Sequence, residues 1–304
     1  MLPLLLAFCL VLPVQRTEAA ETPAADAPPD VVEAPDRAEA IARFQKFIEE
    51  HPDRPEIAAA RFRLAALLLE DGEGPPSAEE RAEATRQLEG ALADAAAGRA
   101  EGFAQGAEAW YLLGACRQES DPAGAAAAWE QVVALAPGTP LAASANLGLG
   151  QFALEAEDWA GAASRFDAAR GIDRALPTWS QATYLCGWSR YRAQDYPGAI
   201  APLVELLGQD DTAAAALQPE ALATLAFALV DAAGEGGSVA GGVGEVLPGL
   251  PEARRGELIE QVAALLEQLG RFDEAGDVRK AGGRRRGRGR GQGSFDRGAQ
   301  QLGG

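Results

Sequence analysis

The chain has 304 residues and a formal net charge of −18, with 47% apolar residues, largely alanine, and 6% aromatics. Alanine-rich sequence with few β-branched runs favours helix over sheet, and no alternating Val/Ile/Thr/Tyr stretch reads as a strand. A lone histidine, His51, excludes a two-histidine metal site, and no phosphate-cradling Gly-rich loop or Gly-x-Ser-x-Gly is present, so no cofactor and no catalytic residue is expected.

In chain order, Leu2 to Val14 is an apolar run of 13 residues, shorter than the ~20 a bilayer span needs. It ends at Thr17-Glu18-Ala19, a small-residue cleavage site, so residues 1–20 read as a signal peptide and the protein as periplasmic or secreted. Residues 21–35, with Pro23, Pro28, Pro29 and Pro35 among acidic residues, form an extended linker. A helix is expected from Asp36, with Glu39 completing a capping box, and it stops at His51-Pro52. His51 reads as a helix-end residue rather than a catalyst. Residues 71–77 form a turn, after which Ser77 and Glu80 make a second capping box. Gly98 to Gly106 separates the next two helices. The Gly-rich stretch 234–250 reads as a break, 251–281 as a terminal helix pair and 282–304 as a disordered Arg/Gly-rich tail. From Arg279 on, eight basic residues face Asp296 alone, so the tail is +7 and residues 1–278 carry −25. An acidic body repels nucleic acid and anionic membrane, whereas the tail is suited to an anionic surface.

Between Asn146 and Leu206 one two-helix pattern occurs twice, 37 residues apart: Leu149-Gly150, Ala153, Trp159, Ala162, Phe166, Ala169, then Cys186-Gly187, Arg190, Tyr196, Ala199, Leu203, Leu206. Upstream, Trp110, Leu113, Gly114 and then Ala125, Trp129, Val132, Pro137 repeat it, so Ala125, Ala162 and Ala199 fall at equal steps. Small residues in both helices permit a close crossing, and the large residue four after the alanine lies on the same face. Weaker copies are Ala40, Phe44, Phe47, Pro52; Phe62 to Leu69 with Ala84, Leu88, Ala91; and Ala263 to Leu269 with Phe272, Ala275. The pattern resembles the tetratricopeptide repeat, whose period is about 34 residues. The resemblance covers residues 36–281 and implies an all-α, right-handed solenoid of stacked helix–turn–helix units, with the main array at 36–233. Arg117, Ala153 and Arg190 depart from it, standing where an aromatic is usual. Cys116 and Cys186 lie two units apart, too far to bridge, and read as small apolar residues.

The resemblance also implies ligand contacts on the first helix of each unit. In this sequence these are Ser144, Leu147, Gln151, Leu154 and Glu155, then Gln181, Tyr184, Trp188, Tyr191 and Arg192, and upstream Glu108, Tyr111, Ala115, Gln118 and Glu119. Tyr111, Leu147, Gln151, Gln181, Tyr184, Trp188, Tyr191 and Arg192 form the expected peptide-binding groove, with Tyr184, Trp188 and Tyr191 on one helix face at i, i+4, i+7. The family's carboxylate clamp of Lys and Asn is not present in full. Ala40 to Phe47 with His51-Pro52 resembles repeats of the periplasmic coordinator of the Tol–Pal system, and Tyr184 to Arg192 resembles gliding-motility and envelope repeats. The reading is a non-catalytic scaffold in the bacterial envelope with a protein or peptide partner and no small-molecule substrate. The alternative is a cytosolic or RNA-associated adaptor using its Arg/Gly tail.

Overall fold

The structure, a computed structural model, describes residues 36–70, 74–100, 102–234 and 237–288, with side chains to Gly282. The expected signal segment 1–20, the linker 21–35 and the tail from residue 289 on lie outside the described residues. From Arg37 on, thirteen α-helices and no strand are found among the described residues: α1 (Arg37–Glu50), α2 (Ile57–Leu69), α3 (Ala78–Ala96), α4 (Gly106–Arg117), α5 (Pro122–Leu135), α6 (Pro140–Glu155), α7 (Trp159–Arg170), α8 (Trp179–Arg192), α9 (Tyr196–Leu207), α10 (Thr212–Ala233), α11 (Val239–Val246), α12 (Glu252–Gln268) and α13 (Phe272–Arg288). Each packs on its neighbour in sequence as far as α11, which packs on α10 and α13, and α12 packs on α13; in addition α4 touches α6, α8 touches α10 and α10 touches α12. That is a stack of helix pairs, α2–α3 through α12–α13, preceded by α1.

The crossings depend on glycine. A Cβ on Gly114 would lie 2.3 Å from the Trp129 indole, one on Gly150 2.5 Å from the Phe166 ring, and one on Gly187 2.7 Å from Leu203. Each of these large residues sits four after the buried alanine, Ala125, Ala162 or Ala199, and is at most 2% exposed. Removing the side chain on one helix lets the other's ridge enter its groove. Trp129 is the bulkiest of the three and needs a second glycine, because a Cβ on Gly148 of α6 would also meet its ring, at 2.4 Å.

The turns are equally regular. Asp121, Asp158 and Asp195 cap α5, α7 and α9, each carboxylate accepting from the amide three residues on (Gly124, Gly161, Gly198) at 3.0, 2.9 and 3.0 Å. Before two of these caps the chain turns through the left-handed region at Glu157 (φ 57°) and Gln194 (φ 61°). The paired bonds Asp195 N–H to Arg190 C=O and Gln194 N–H to Tyr191 C=O, both 2.9 Å, make the Schellman closure. The same closure after α12 uses Gly270. Gln194→Gly removes the Cβ strain and should raise stability by roughly 0.5–1 kcal/mol. A thermal scan checks this: a rise of about 1–4 °C is expected for an array of this size.

Three boundaries differ from the sequence expectation. The stretch 234–250 is not simply a break, because it contains α11 and a 3₁₀ turn, Leu247–Gly249. Val239, Val243, Leu247 and Leu250 are all buried there, which makes α11 a shortened second helix for α10. Tertiary packing on α10 and α13 overrides the poor helix propensity of its glycines. The last helix also continues beyond 281, to Arg288, with Gly282 pressed on Ile259 of α12. At the start, Glu39 pairs with Arg43 instead of reaching back to cap, and Arg37 ties α1 to the Leu67 carbonyl (2.9 Å) and Glu80 (3.1 Å). The Ser77–Glu80 capping box is formed. Helix α10 is long and apolar enough to cross a bilayer by length and composition, but its apolar side chains pack on α8, α9, α11 and α12.

Candidate protein-binding edge

The residues expected to line a groove separate into two groups. Leu147 is 0%, Tyr184 5% and Tyr111 9% exposed, so these three belong to the core and are withdrawn from the ligand surface. Burial pushes the Tyr111 hydroxyl up to about 12 and raises that of Tyr184, whose hydroxyl faces Thr224 of α10. Gln151 and Gln181 are half-buried on α6 and α8. Trp188 and Arg192 meet at the edge where first helices end and second helices begin, and Tyr191 joins a second aromatic cluster there.

Trp188 packs edge-on against Trp159, the first residue of α7, at 5.5 Å between ring centroids. The exposed guanidinium of Arg192 lies over both indoles, 4.1 Å from the Trp159 ring and 5.3 Å from that of Trp188. Tyr191 leans on Tyr196, the first residue of α9, at 5.7 Å and on Phe227 of α10 at 6.3 Å. Its hydroxyl donates to Asp231 at 3.0 Å. Burial and then this bond to a carboxylate push the Tyr191 hydroxyl up to about 12. Phe227 keeps 44% of its surface exposed. Sequence reasoning had Trp159 and Tyr196 only as members of the recurring pattern and missed Phe227 and Asp231. The 37-residue recurrence of an aromatic after a capping aspartate was the available signal for the first two. Nothing local marks the others.

Beneath this edge Arg190, one of the departures from the repeat pattern, does the work of the expected aromatic with charge. It donates to the Gly198 carbonyl (3.0 Å) and to Asp167 (3.2 Å), joining α8 to the starts of α9 and α7's last turns. Close crossing of glycine against a large residue, recurring with capped turns every 37 residues, decides the architecture. The fold is an all-α solenoid of stacked helix pairs, the architecture that the tetratricopeptide resemblance implies.

No known family matches the sequence, and no curated protein matches it. Among solved structures, this helical array is similar to the C-terminal part of a TPR repeat-containing protein from Cytophaga hutchinsonii, at 15% identity over 81% of this chain and 88% of that one, TM-score 0.46. It is similar to the apo form of RapI at 11% identity over 84% and 94%, TM-score 0.43. A third similarity is to MamA, at 18% identity over 58% and 96%, TM-score 0.34.

Among the described residues no group of three or more His, Cys, Asp or Glu is placed to hold a metal ion. His51 packs against Phe47 at the end of α1, 5.2 Å between centroids. Cys116 and Cys186 are free thiols, and burial pushes Cys186 up to about 11 and raises Cys116. An unfolded thiol ionises near 9, its ordinary value, so stability present below that pH is lost as pH rises toward 11. The tyrosines ionise later, from an ordinary value of 10.0. Cys186→Ala should therefore flatten the fall of Tm between pH 9 and 10, read by thermal scans across that range.

Proposed function

We propose that this chain is a non-catalytic scaffold that holds a protein or peptide partner on the edge formed by Trp159, Trp188, Tyr191, Arg192, Tyr196 and Phe227. The carrying observation is Arg192, exposed and spread over two indoles at the end of α8, with the exposed Phe227 packed on the adjoining Tyr191. Aromatic and arginine side chains presented together are the usual energetic centres of protein contacts. A stack of two-helix units supplies a rigid, extended frame for such a surface. A photo-crosslinker at Ala193, beside the edge, should capture a protein partner in cells, whereas one at Gln131, exposed on α5, should not. Equal capture at both positions, or none at Ala193, overturns the reading.

The same proposal has the protein exported, on the strength of the Leu2–Val14 run and the small-residue site that follows it. N-terminal sequencing of the mature protein should begin at Ala20 or Glu21. A mature chain that keeps Met1 and fractionates with the cytosol would favour the adaptor that uses its Arg/Gly tail.

A further inference from the structure

We infer that the edge selects a peptide carrying a single carboxylate close to an aromatic or large apolar side chain, with Arg192 as the anchor for the carboxylate. This rests on the protein-binding reading of the same edge. Arg165, Arg170, Arg174 and Arg190, on the adjoining segments of the stack, are each in an ion pair. Arg192 makes no ion pair and donates no hydrogen bond among the described residues, although Glu155, Glu157, Asp158 and Asp195 occupy the same turns. Its guanidinium rests on the faces of Trp159 and Trp188 instead.

A guanidinium laid over an aromatic ring keeps the N–H donors around its rim available. Those donors match a carboxylate two at a time, and the stacking has already restricted the side chain, so less freedom is lost on binding. Tyr191, which precedes Arg192 in the chain, packs with Tyr196 and Phe227 into a second aromatic cluster, an apolar surface for a neighbouring side chain of the ligand. Asp231 is engaged by the Tyr191 hydroxyl. The number of carboxylates follows from the surroundings. Acidic side chains at these turns and −25 over residues 1–278 repel a run of acids or a phosphate chain, while one carboxylate seated on Arg192 is shielded from most of them beyond a Debye length of about 8 Å.

A random peptide library displayed with free C-termini and panned on the full mature chain tests this. Enriched peptides should carry one Asp, Glu or terminal carboxylate within two or three residues of an aromatic or large apolar side chain. Replacing that carboxylate by its amide should weaken binding ~10-fold or more. Arg192→Ala, with its melting temperature unchanged, should bind acid and amide peptides alike, and Arg192→Lys should fall between. Enrichment without a carboxylate, an unchanged preference in Arg192→Ala, or no enrichment at all overturns the inference. A partner still crosslinked at Ala193 in that event leaves the scaffold reading intact, and its absence removes both.

Discussion

Trp129→Ala should destabilise the array by about 3–5 kcal/mol, the usual range for deleting a buried large aromatic. The indole is 2% exposed, stacks on Phe152 at 5.3 Å and donates its N–H to the Tyr111 carbonyl at 3.3 Å. It lies between Gly114 of α4 and Gly148 of α6, neither of which has a side chain to move into the space left. The void therefore stays, and its lining loses contacts outright. Trp129 also joins two successive helix pairs, and in a solenoid each unit is held only by its neighbours. Loss of this contact should uncouple the segments on either side. Helicity by circular dichroism and the fluorescence of Trp159, Trp179 and Trp188 should then report different denaturant midpoints, where the parent shows one. Trp129→Phe should lose less and keep the midpoints together. A loss below about 1 kcal/mol in Trp129→Ala would mean that the ring does not fill this crossing.

Much of this was legible beforehand because the repeat is written in residues with one physical use. Gly150 and Gly187 followed at a fixed step by Phe166 and Leu203 describe a close crossing, and the structure has it. The α11 segment was hidden because its apolar residues at 239, 243, 247 and 250 lie among glycines that weigh against a helix when read locally. Packing against α10 and α13 makes that segment helical. The end of α13 was obscured in the same way, since Gly282 marks contact with Ile259 and not the end of structure.

The edge was legible only in part. Repeat-position transfer selected Tyr111, Leu147 and Tyr184, which occupy the same place in three successive units, and all three are buried. Helices α6 and α8 are covered on nearly every side: Ala142 through Gly150 are buried without interruption. Such a helix has no polar face by which its sequence could show which residues reach solvent. The same transfer selected Trp188 and Arg192, which lie in the last turns of α8, where coverage stops. Phe227 and Asp231 come from α10, whose unit is the most divergent of the central ones, so no repeat register pointed to them.

Gly150→Val should destabilise the protein by about 1–3 kcal/mol or more, since its Cβ would meet the Phe166 ring at 2.5 Å before the valine methyls are counted. Phe166 is 0% exposed, and Phe166→Ala alone should remove about 3–5 kcal/mol. Together the two changes should cost less than their sum by roughly 0.5–3 kcal/mol, because the valine occupies volume that the ring vacates. The control is Gly150→Val with Leu203→Ala. Leu203 packs against Gly187 one unit further on, so those two changes should add to within about 0.5 kcal/mol. Equilibrium denaturation of the singles and both doubles gives the four numbers. If Gly150→Val adds to Phe166→Ala as it does to Leu203→Ala, α6 and α7 do not cross at Gly150, and the recurring crossing from which the edge, its turns and its partner were argued loses its foundation.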